Sequence, residues 1–357
     1  MVLQLNRGIH FPRFRVVKFV YFNFTFNRWV IFLLLRFVIK RILILIPVLF
    51  GISIILFAIN RILPGDPVLA MMPMGVRPEM FDDLYQSIYL RLGLDRPLWE
   101  QYFRWIYNFF ILGDFGFSSL FNRPVVDVIG EPLRNTIILN VSVNIIYLMI
   151  ALPVGIKMAV KRGRLFDSGW QVFSLVTFAM PSFFLALTLI FIFSVNLGWL
   201  PVAGMPNRVF LQGFDLFLGW IRHLTLPVTT LVIISLASAI RFIRNAMIDA
   251  LSQDYIRTAR SKGLSEKVVI YSHALRNALI PVSTIVVLQL FMLIGGAAIT
   301  EQIFAYNGIG RLLLQAVHGR DRMLIISMAM LFSLVNVVAV LIADVVYGLV
   351  DPRVKLK

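Results

Sequence analysis

Six long runs of apolar residues divide the sequence, and the charged residues are concentrated in the segments between them. A helix needs about 20 mainly apolar residues to cross the hydrocarbon core of a bilayer. The runs that meet this length cover residues 42–60, 136–156, 170–195, 224–240, 278–300 and 323–346. The pattern therefore predicts an all-α, polytopic membrane protein with six transmembrane helices.

The overall composition agrees with a membrane protein. Of the 357 residues, 59% are hydrophobic and 15% are charged, whereas soluble domains have roughly half apolar and about a quarter charged residues. The net charge of +16 comes from basic residues in the connections rather than from one soluble basic face, so nucleic acid is not the predicted partner. The absence of cysteine excludes disulfides and thiolate metal sites.

The distribution of charge predicts the orientation in the membrane. Basic residues crowd the N-terminus, residues 157–164 and residues 241–276, whereas residues 61–131 carry nine acidic residues and no lysine. By the positive-inside rule the basic connections are cytoplasmic, and residues 61–133 form an external region. An even number of spans then places both termini in the cytoplasm.

Residues 1–35 form a basic, aromatic extension without a small-residue cleavage site, so a cleaved signal peptide is not expected. Two interpretations remain open: an interfacial helix on the anionic inner leaflet, or an extension that only fixes orientation. The transmembrane domain covers residues 36–353, and residues 354–357 form a cytoplasmic tail.

Polar side chains inside the predicted spans are costly in lipid and are expected to face protein or a water-filled path. Candidates for a translocation path or for polar packing are Asn140, Asn144, Gln289 and Asp344. Asp344 lies near the cytoplasmic end of its span, where it either reaches the interface, pairs with a basic neighbour or takes part in transport.

Proline lies in or at the edge of five predicted spans. A proline removes one backbone hydrogen bond and bends or breaks a helix, and broken helices are compatible with a moving transporter. These prolines are Pro47, Pro153, Pro181, Pro227 and Pro281. Taken singly, each is expected only to bend its helix.

Motifs for enzymatic chemistry are missing from the sequence. It contains no GxxxxGK[ST] phosphate-binding loop, no HExxH zinc motif and no GxSxG nucleophile elbow. We therefore expect no cofactor, no metal site and no ATP hydrolysis in this chain.

The cytoplasmic connection at 241–277 contains the sequence DYIRTARSKGL at 254–264. Apolar residues recur at three- and four-residue steps on both sides of Gly263, and Ser265 stands where a helix N-cap is expected. The pattern predicts two amphipathic helices broken at the glycine. Such an element, with an apolar stripe and a basic face, suits a docking surface for a soluble partner.

This stretch, with HALRNALIP at 273–281, resembles the coupling loop of permease subunits from ABC importers of the dipeptide and oligopeptide class. Further motifs resemble the same family in the expected order: LPGDPV at 63–68, LGLDRP at 92–97, GDFGFS at 113–118, RPV at 123–125 and DPR at 351–353. One departure is FAYNGIG at 304–310, where the family commonly has proline and this chain has Asn307. Since Asn-Gly also forms tight turns, we expect the external turn to persist.

The resemblance implies a type I ABC importer permease fold and a set of partners. These are a second homologous permease, two ATPase subunits that bind ATP and magnesium, an extracytoplasmic substrate-binding protein and the lipid bilayer. The residues that it implies for docking to an ATPase are Tyr255, Arg257, Thr258, Ala259, Gly263 and Leu264. The alternative, a self-contained secondary transporter or channel, would need its own coupling residues, and only Asp344 offers itself.

Overall fold

A computed structural model describes residues 28–62, 66–73, 75–207, 210–283 and 297–350, with backbone only for residues 28–35, 70 and 346–350. The helices are α1 (Arg28–Ile62), α2 (Pro67–Met71), α3 (Pro78–Arg91), α4 (Leu98–Tyr107), α5 (Val125–Val160), α6 (Leu165–Ala179), α7 (Ser182–Leu189), α8 (Gly213–Leu251), α9 (Asp254–Ser261), α10 (Glu266–Val268), α11 (275–283), α12 (Ala298–Ile303), α13 (Ile309–His318) and α14 (Arg322–Val350). Wider π-helical turns continue three of them, at Asn108–Leu112 after α4, Ile190–Asn196 after α7 and Val269–Ala274 after α10.

Among the described residues, four helices are long and apolar enough to cross a membrane. Their qualifying segments are Arg36–Ile62, Val125–Val160, Gly213–Leu251 and Arg322–Val345. The helices to which these segments belong, α1, α5, α8 and α14, each contain one of the predicted apolar runs and extend beyond it at both ends. These four predicted spans are confirmed as helices of sufficient length.

The third predicted run, at 170–195, is not one straight helix. It is divided between α6 and α7, and the two arms are bent by 103° at a short break. Met180 is extended, with ψ at 124°, and Pro181 follows it. Proline disfavours the helical conformation of the residue before it and has no N–H to continue the helix, so Pro181 breaks this helix where the other helical prolines leave theirs continuous.

The fifth predicted run, at 278–300, falls largely on residues 284–296, which lie outside the described residues, as does Gln289. The described part of the chain thus contains four spans plus the bent pair. The two interpretations of residues 1–35 concern mainly residues 1–27, also outside the described residues. Within the predicted extension, α1 already begins at Arg28.

The region predicted to be external folds into short helices and one small hairpin. Strands β1 (Phe117–Ser118) and β2 (Arg123–Pro124) pair antiparallel, with Phe117 opposite Pro124. In the described residues, this hairpin is the single departure from an all-helical architecture.

Helices α5 and α8 form the centre of the core. A Cβ atom on Gly155 would lie 2.7 Å from Cγ2 of Ile243 and 3.2 Å from the carbonyl oxygen of Ile240, so only glycine permits this close approach of the helices. Ile240 and Ile243 are buried in the same apolar cluster as Tyr147. The crossing therefore involves the C-terminal part of both helices.

Candidate functional site

The connection at 241–277 is continuous with the core helix α8. Helix α8 continues past its predicted span to Leu251, and only Ser252 and Gln253 separate it from α9. Near this end of α8, Arg244 binds Asp167 of α6 through Nε–Oδ1 at 2.6 Å and Nη2–Oδ2 at 2.8 Å. A bidentate pair to a fully buried carboxylate fixes the two helices in one orientation, so the end of α8 that leads into α9 is joined to α6.

Helix α9 is amphipathic, as its sequence predicts. Ile256 and Ala259 are buried, at 0% and 5% exposure, in the same apolar cluster as Met247 and Val269. The small side chain of Ala259 therefore lies beneath α9, where it allows the helix to sit close on the chain's own core. The structure places Ala259 on the underside of the candidate surface, apart from the other predicted docking residues.

Gly263 ends α9 in a left-handed conformation, with φ at +72°. Its N–H donates to the carbonyl of Arg260 at 2.9 Å, and the N–H of Leu264 donates to the carbonyl of Ala259 at 3.4 Å. This pair of bonds is the Schellman motif, which satisfies carbonyls at the end of a helix and favours glycine at the left-handed position. The predicted break between two helices at Gly263 is confirmed, and Ser265 precedes α10 as expected, although its side chain makes no capping hydrogen bond.

One ion pair closes the joint from outside. Arg260 Nε donates to Glu266 Oε1 at 2.7 Å, between α9 and the first turn of α10. The hydrogen bond from Arg260 lowers the pKa of the Glu266 carboxyl, and the same bond raises the pKa of the Arg260 guanidinium. Because the glutamate pKa is lowered, the pair persists through the neutral range and is lost only as the pH falls through that lowered value.

The remaining predicted docking residues face outward. Tyr255 and Leu264 are 38% and 39% exposed although both are apolar, and the Arg257 side chain is 79% exposed, with Asp254 3.6 Å away. Thr258 is exposed, and its hydroxyl returns to the carbonyl of Asp254 at 3.1 Å. Together with the open backbone at Gly263 these residues form the coupling surface, a name we keep for Tyr255, Arg257, Thr258, Gly263 and Leu264.

The polar residues predicted inside the spans have separate surroundings. Asn140 is buried, and Asn144 donates to its backbone carbonyl at 2.8 Å, so Asn144 satisfies part of its polarity within α5. Asp344 lies 3.2 Å from Nε of Arg41, joining α14 to α1. The expected pairing of Asp344 with a basic neighbour is thus present, and the structure does not bring it together with Asn140 or Asn144 in one site.

A second polar cluster, which the sequence patterns did not single out, lies around Glu301. The Thr136 hydroxyl donates to Oε1 of Glu301 at 2.8 Å, and the backbone N–H of Arg311 donates to Oε2 at 2.9 Å. The N–H of Ile309 in turn donates to Thr136 Oγ1 at 2.8 Å. Glu301 is fully buried and thereby satisfies the N-terminus of α13 from outside that helix. We call this group, with Thr136, Glu301 and the start of α13, the Glu301 lock.

The turn at 304–308 is held against the same lock. Asn135 donates to the carbonyl of Asn307, and Tyr306 donates to the carbonyl of Asn135, both at 2.8 Å. The expected turn is present, but the left-handed residue is Ala305, with φ at +45°, while Gly308 is extended. Gly308 is required for another reason: a Cβ there would lie 2.4 Å from Cδ of Glu301.

Asp321 performs the corresponding task for the hairpin. Its carboxylate accepts from the hydroxyl of Ser118, from the N–H of Leu120 and from the N–H of Leu324 in the first turn of α14. Asp321 is 1% exposed. Residues about 200 positions apart are thereby joined, and the hairpin is anchored to the start of α14.

These features define a class of protein. It is a multi-pass helical membrane protein in which buried carboxylates hold the hairpin and the start of α13 in place, and in which an amphipathic loop lies apart from them. Residues 34–150 match the family described as the N-terminal part of the binding-protein-dependent transport system membrane component, and residues 151–356 match the binding-protein-dependent transport system inner membrane component. The chain belongs to this family.

Curated relatives resemble almost the whole chain. The oligopeptide transport system permease protein AppB of Bacillus subtilis is 38% identical over 320 residues, covering 89% of this chain and 99% of AppB. The di/tripeptide transport system permease protein DppB of Pseudomonas aeruginosa is 38% identical over 338 residues, covering 90% and 99%. The dipeptide transport system permease protein DppB of Escherichia coli K12 is 36% identical over 343 residues, covering 91% and 100%.

The family membership determines the general role of the chain. It is an inner-membrane permease subunit of a binding-protein-dependent ABC importer, and it is not the catalytic subunit, because ATP hydrolysis belongs to partner subunits. A self-contained transporter is therefore no longer needed to explain the fold.

Proposed function

We propose that this permease carries peptides, that it pairs with a second homologous permease in a six-helix type I arrangement, and that its coupling surface docks on one of two ATPase subunits. Peptides are proposed because the relatives are named as oligopeptide, di/tripeptide and dipeptide permeases. The substrate is delivered by an extracytoplasmic binding protein, and both termini lie in the cytoplasm.

The observation that carries the docking proposal is the two-sided character of α9. Its underside is buried through Ile256 and Ala259, so the loop is held firmly, while Tyr255 and Leu264 leave apolar area exposed beside the exposed charge of Arg257. An apolar patch next to basic groups suits a partner with an apolar cleft and acidic residues at its rim.

The loop is also connected to the helices of the core. The short distance in sequence from α9 to α8, and the pair between Arg244 and Asp167, give a continuous rigid path from the coupling surface to the α5–α8 crossing. Closure of two ATPase subunits on ATP and magnesium would displace α9, and the packed helices would convert that displacement into a change of access.

The test is a charge reversal with a matched control. Arg257→Glu should leave the purified permease as stable as the wild type, because exposed substitutions typically change stability by less than about 0.5 kcal/mol. It should strongly reduce the recovery of ATPase subunits with the permease. Arg91→Glu, at an exposed arginine of α3 in the region predicted to be external, should leave that recovery unchanged.

Equal recovery of ATPases with both variants would contradict docking at the coupling surface. The peptide assignment is tested separately, by uptake of labelled di- and oligopeptides through the reconstituted importer with its binding protein. Saturable uptake of peptides supports the assignment, and uptake of another solute with exclusion of peptides overturns it.

A further inference from the structure

An apolar groove of about 320 Å³ lies at the start of α6. It is lined by Leu165, Phe166, Gly169, Trp170 and Phe173, which share one face of the helix at steps of one, three and four residues. Leu165 is 93% exposed. The groove is therefore open along the outside of the helix rather than enclosed in the core.

Aromatic rings give the groove a fixed shape. The rings of Phe166 and Trp170 have centroids 6.3 Å apart, and those of Trp170 and Phe173 are 5.2 Å apart and nearly perpendicular. Gly169 leaves a gap between them, because a Cβ at that position would meet nothing within 4 Å. A narrow apolar slot with a tryptophan at its centre is typical of protein surface at the edge of a bilayer.

Four basic side chains lie at residues 157–164, immediately before the first residue that lines this groove. Lys157 comes from the last turn of α5, with Nζ 4.6 Å from the centroid of the Phe166 ring, and the turn before α6 adds Lys161, Arg162 and Arg164. All four are exposed, and within the described part of the chain none has a carboxylate partner. The nearby carboxylate, Asp167, is buried and held by Arg244 and by the N–H of Gly163.

We propose that this groove and its basic rim form a binding site for an anionic phospholipid of the cytoplasmic leaflet. One acyl chain lies along the slot beside Gly169 and Trp170, and the phosphate lies among the side chains at 157–164. The apolar slot calls for a hydrocarbon chain, and the unpaired positive charge calls for an anionic headgroup. A free phosphate would use the rim alone, and a zwitterionic lipid would use the slot without the charge.

The proposal also gives the lipid a mechanical position. Asp167 binds Arg244 near the end of α8. Because Asp167 stands between the lining residues Phe166 and Gly169 in sequence, the proposed lipid site lies on the same turn of α6 as the link to the helix that carries the coupling loop. An occupied site would therefore hold the start of α6 at the membrane surface and, through this ion pair, restrain the end of α8 as well. The site goes beyond the proposed peptide import and does not depend on which solute is carried.

The experiment uses the assembled importer, delipidated in mild detergent and returned to nanodiscs of phosphatidylcholine or of phosphatidylcholine and phosphatidylglycerol at about four to one. Native mass spectrometry then counts retained phosphatidylglycerol. Two variants test the two parts of the site separately. The double substitution Arg162→Gln with Arg164→Gln removes two charges of the rim. Gly169→Leu places a side chain in the groove, where a Cβ would meet no other atom within 4 Å. The charge-matched control is Arg77→Gln with Arg91→Gln, two exposed arginines flanking α3.

Each basic residue near a membrane surface strengthens the attraction to anionic lipid by roughly fivefold, so the rim variant, which removes two charges, should weaken phosphatidylglycerol retention by roughly 25-fold. Gly169→Leu should also reduce retention while leaving the charge intact, and the control should retain the lipid as the wild type does. Excess inorganic phosphate should not displace the lipid.

Three outcomes would overturn the proposal. Equal retention by the rim variant and the control would mean that Arg162 and Arg164 hold the lipid no better than any exposed arginine. Displacement by inorganic phosphate, with no effect of Gly169→Leu, would indicate a phosphate site without a lipid. A wild-type importer that retains no phosphatidylglycerol after delipidation and reconstitution would mean that the groove does not bind the lipid in the assembly.

Discussion

The Glu301 lock and the coupling loop at 241–277 each contain a glutamate bonded to a polar partner, yet the two pairs are organised in opposite ways. In the lock, Thr136 and Glu301 are 165 positions apart, fully buried, and bonded to each other at 2.8 Å. In the coupling loop, Arg260 and Glu266 are six positions apart and remain 47% and 61% exposed. The polar pair of the lock is closed off from solvent, whereas the ion pair of the coupling loop stays accessible to solvent or to a partner.

This difference explains where each region obtains its stability. The lock depends on long-range hydrogen bonds, so it forms only when the whole fold has formed. The coupling loop depends on the local Schellman motif at Gly263 and on two buried side chains of α9. Its outer side chains are therefore free to change without loss of the fold, which is the property expected of a surface that binds a partner.

The largest loss of stability is expected from Glu301→Leu. The substitution leaves the N–H of Arg311 and the hydroxyl of Thr136 buried without their acceptor, and each such group costs about 1–3 kcal/mol. Thermal unfolding of the purified permease should shift to a clearly lower temperature. The control is Glu79→Leu in the exposed first turn of α3; a comparable shift in both variants would contradict the lock.

The next largest loss of stability is expected at the close crossing of helices α5 and α8. Gly155→Val places a branched side chain at a position where even a Cβ atom would lie 2.7 Å from Cγ2 of Ile243. Overpacking of this kind costs about 1–3 kcal/mol of stability. Hydrogen exchange should increase in both α5 and α8. Gly130→Val, in the same helix at a position with nothing within 4 Å, provides the control; equal exchange in the two variants would show that the close approach is unimportant.

A smaller effect on stability, but a large effect on transport, is expected at Gly263. Asparagine and aspartate both tolerate the left-handed conformation better than other side chains, so Gly263→Asn and Gly263→Asp should unfold at similar temperatures. Only the aspartate adds a negative charge to the coupling surface. Substrate uptake by the reconstituted importer should be lost in Gly263→Asp and largely retained in Gly263→Asn. Retained uptake in both variants would show that a negative charge at this position does not disturb docking.

Much of this architecture was predictable because length and apolarity are physical requirements of a membrane span. The apolar runs contained in α1, α5, α8 and α14 identified those helices, and the helical periodicity around Gly263 identified the two-helix loop. The bend at Pro181 was less predictable, since proline leaves other long helices of this chain continuous and only the packing decides which one breaks.

The Glu301 lock and Asp321 escaped prediction for a different reason. A buried carboxylate next to an apolar run looks the same in sequence as an exposed one, and the side-chain partners of Glu301 and Asp321, Thr136 and Ser118, lie more than 160 positions away. The placement of Ala259 was hidden likewise, because a small side chain fits both beneath a helix and under a docked partner. The one available signal was the pair of glycines at 308 and 310, whose missing side chains make room for Glu301 and Ala298.

The most direct test of the central claim is the accessibility of position 264 with and without the ATPase subunits. Since the chain contains no cysteine, Leu264→Cys introduces a single thiol into it, and Leu98→Cys introduces one at an exposed position of α4. Maleimide labelling, with native cysteines of the partners removed, should modify both thiols in the isolated permease. Assembly with the ATPases should protect position 264 and leave position 98 reactive. Undiminished labelling of position 264 in the assembled importer would contradict the assignment of the coupling surface.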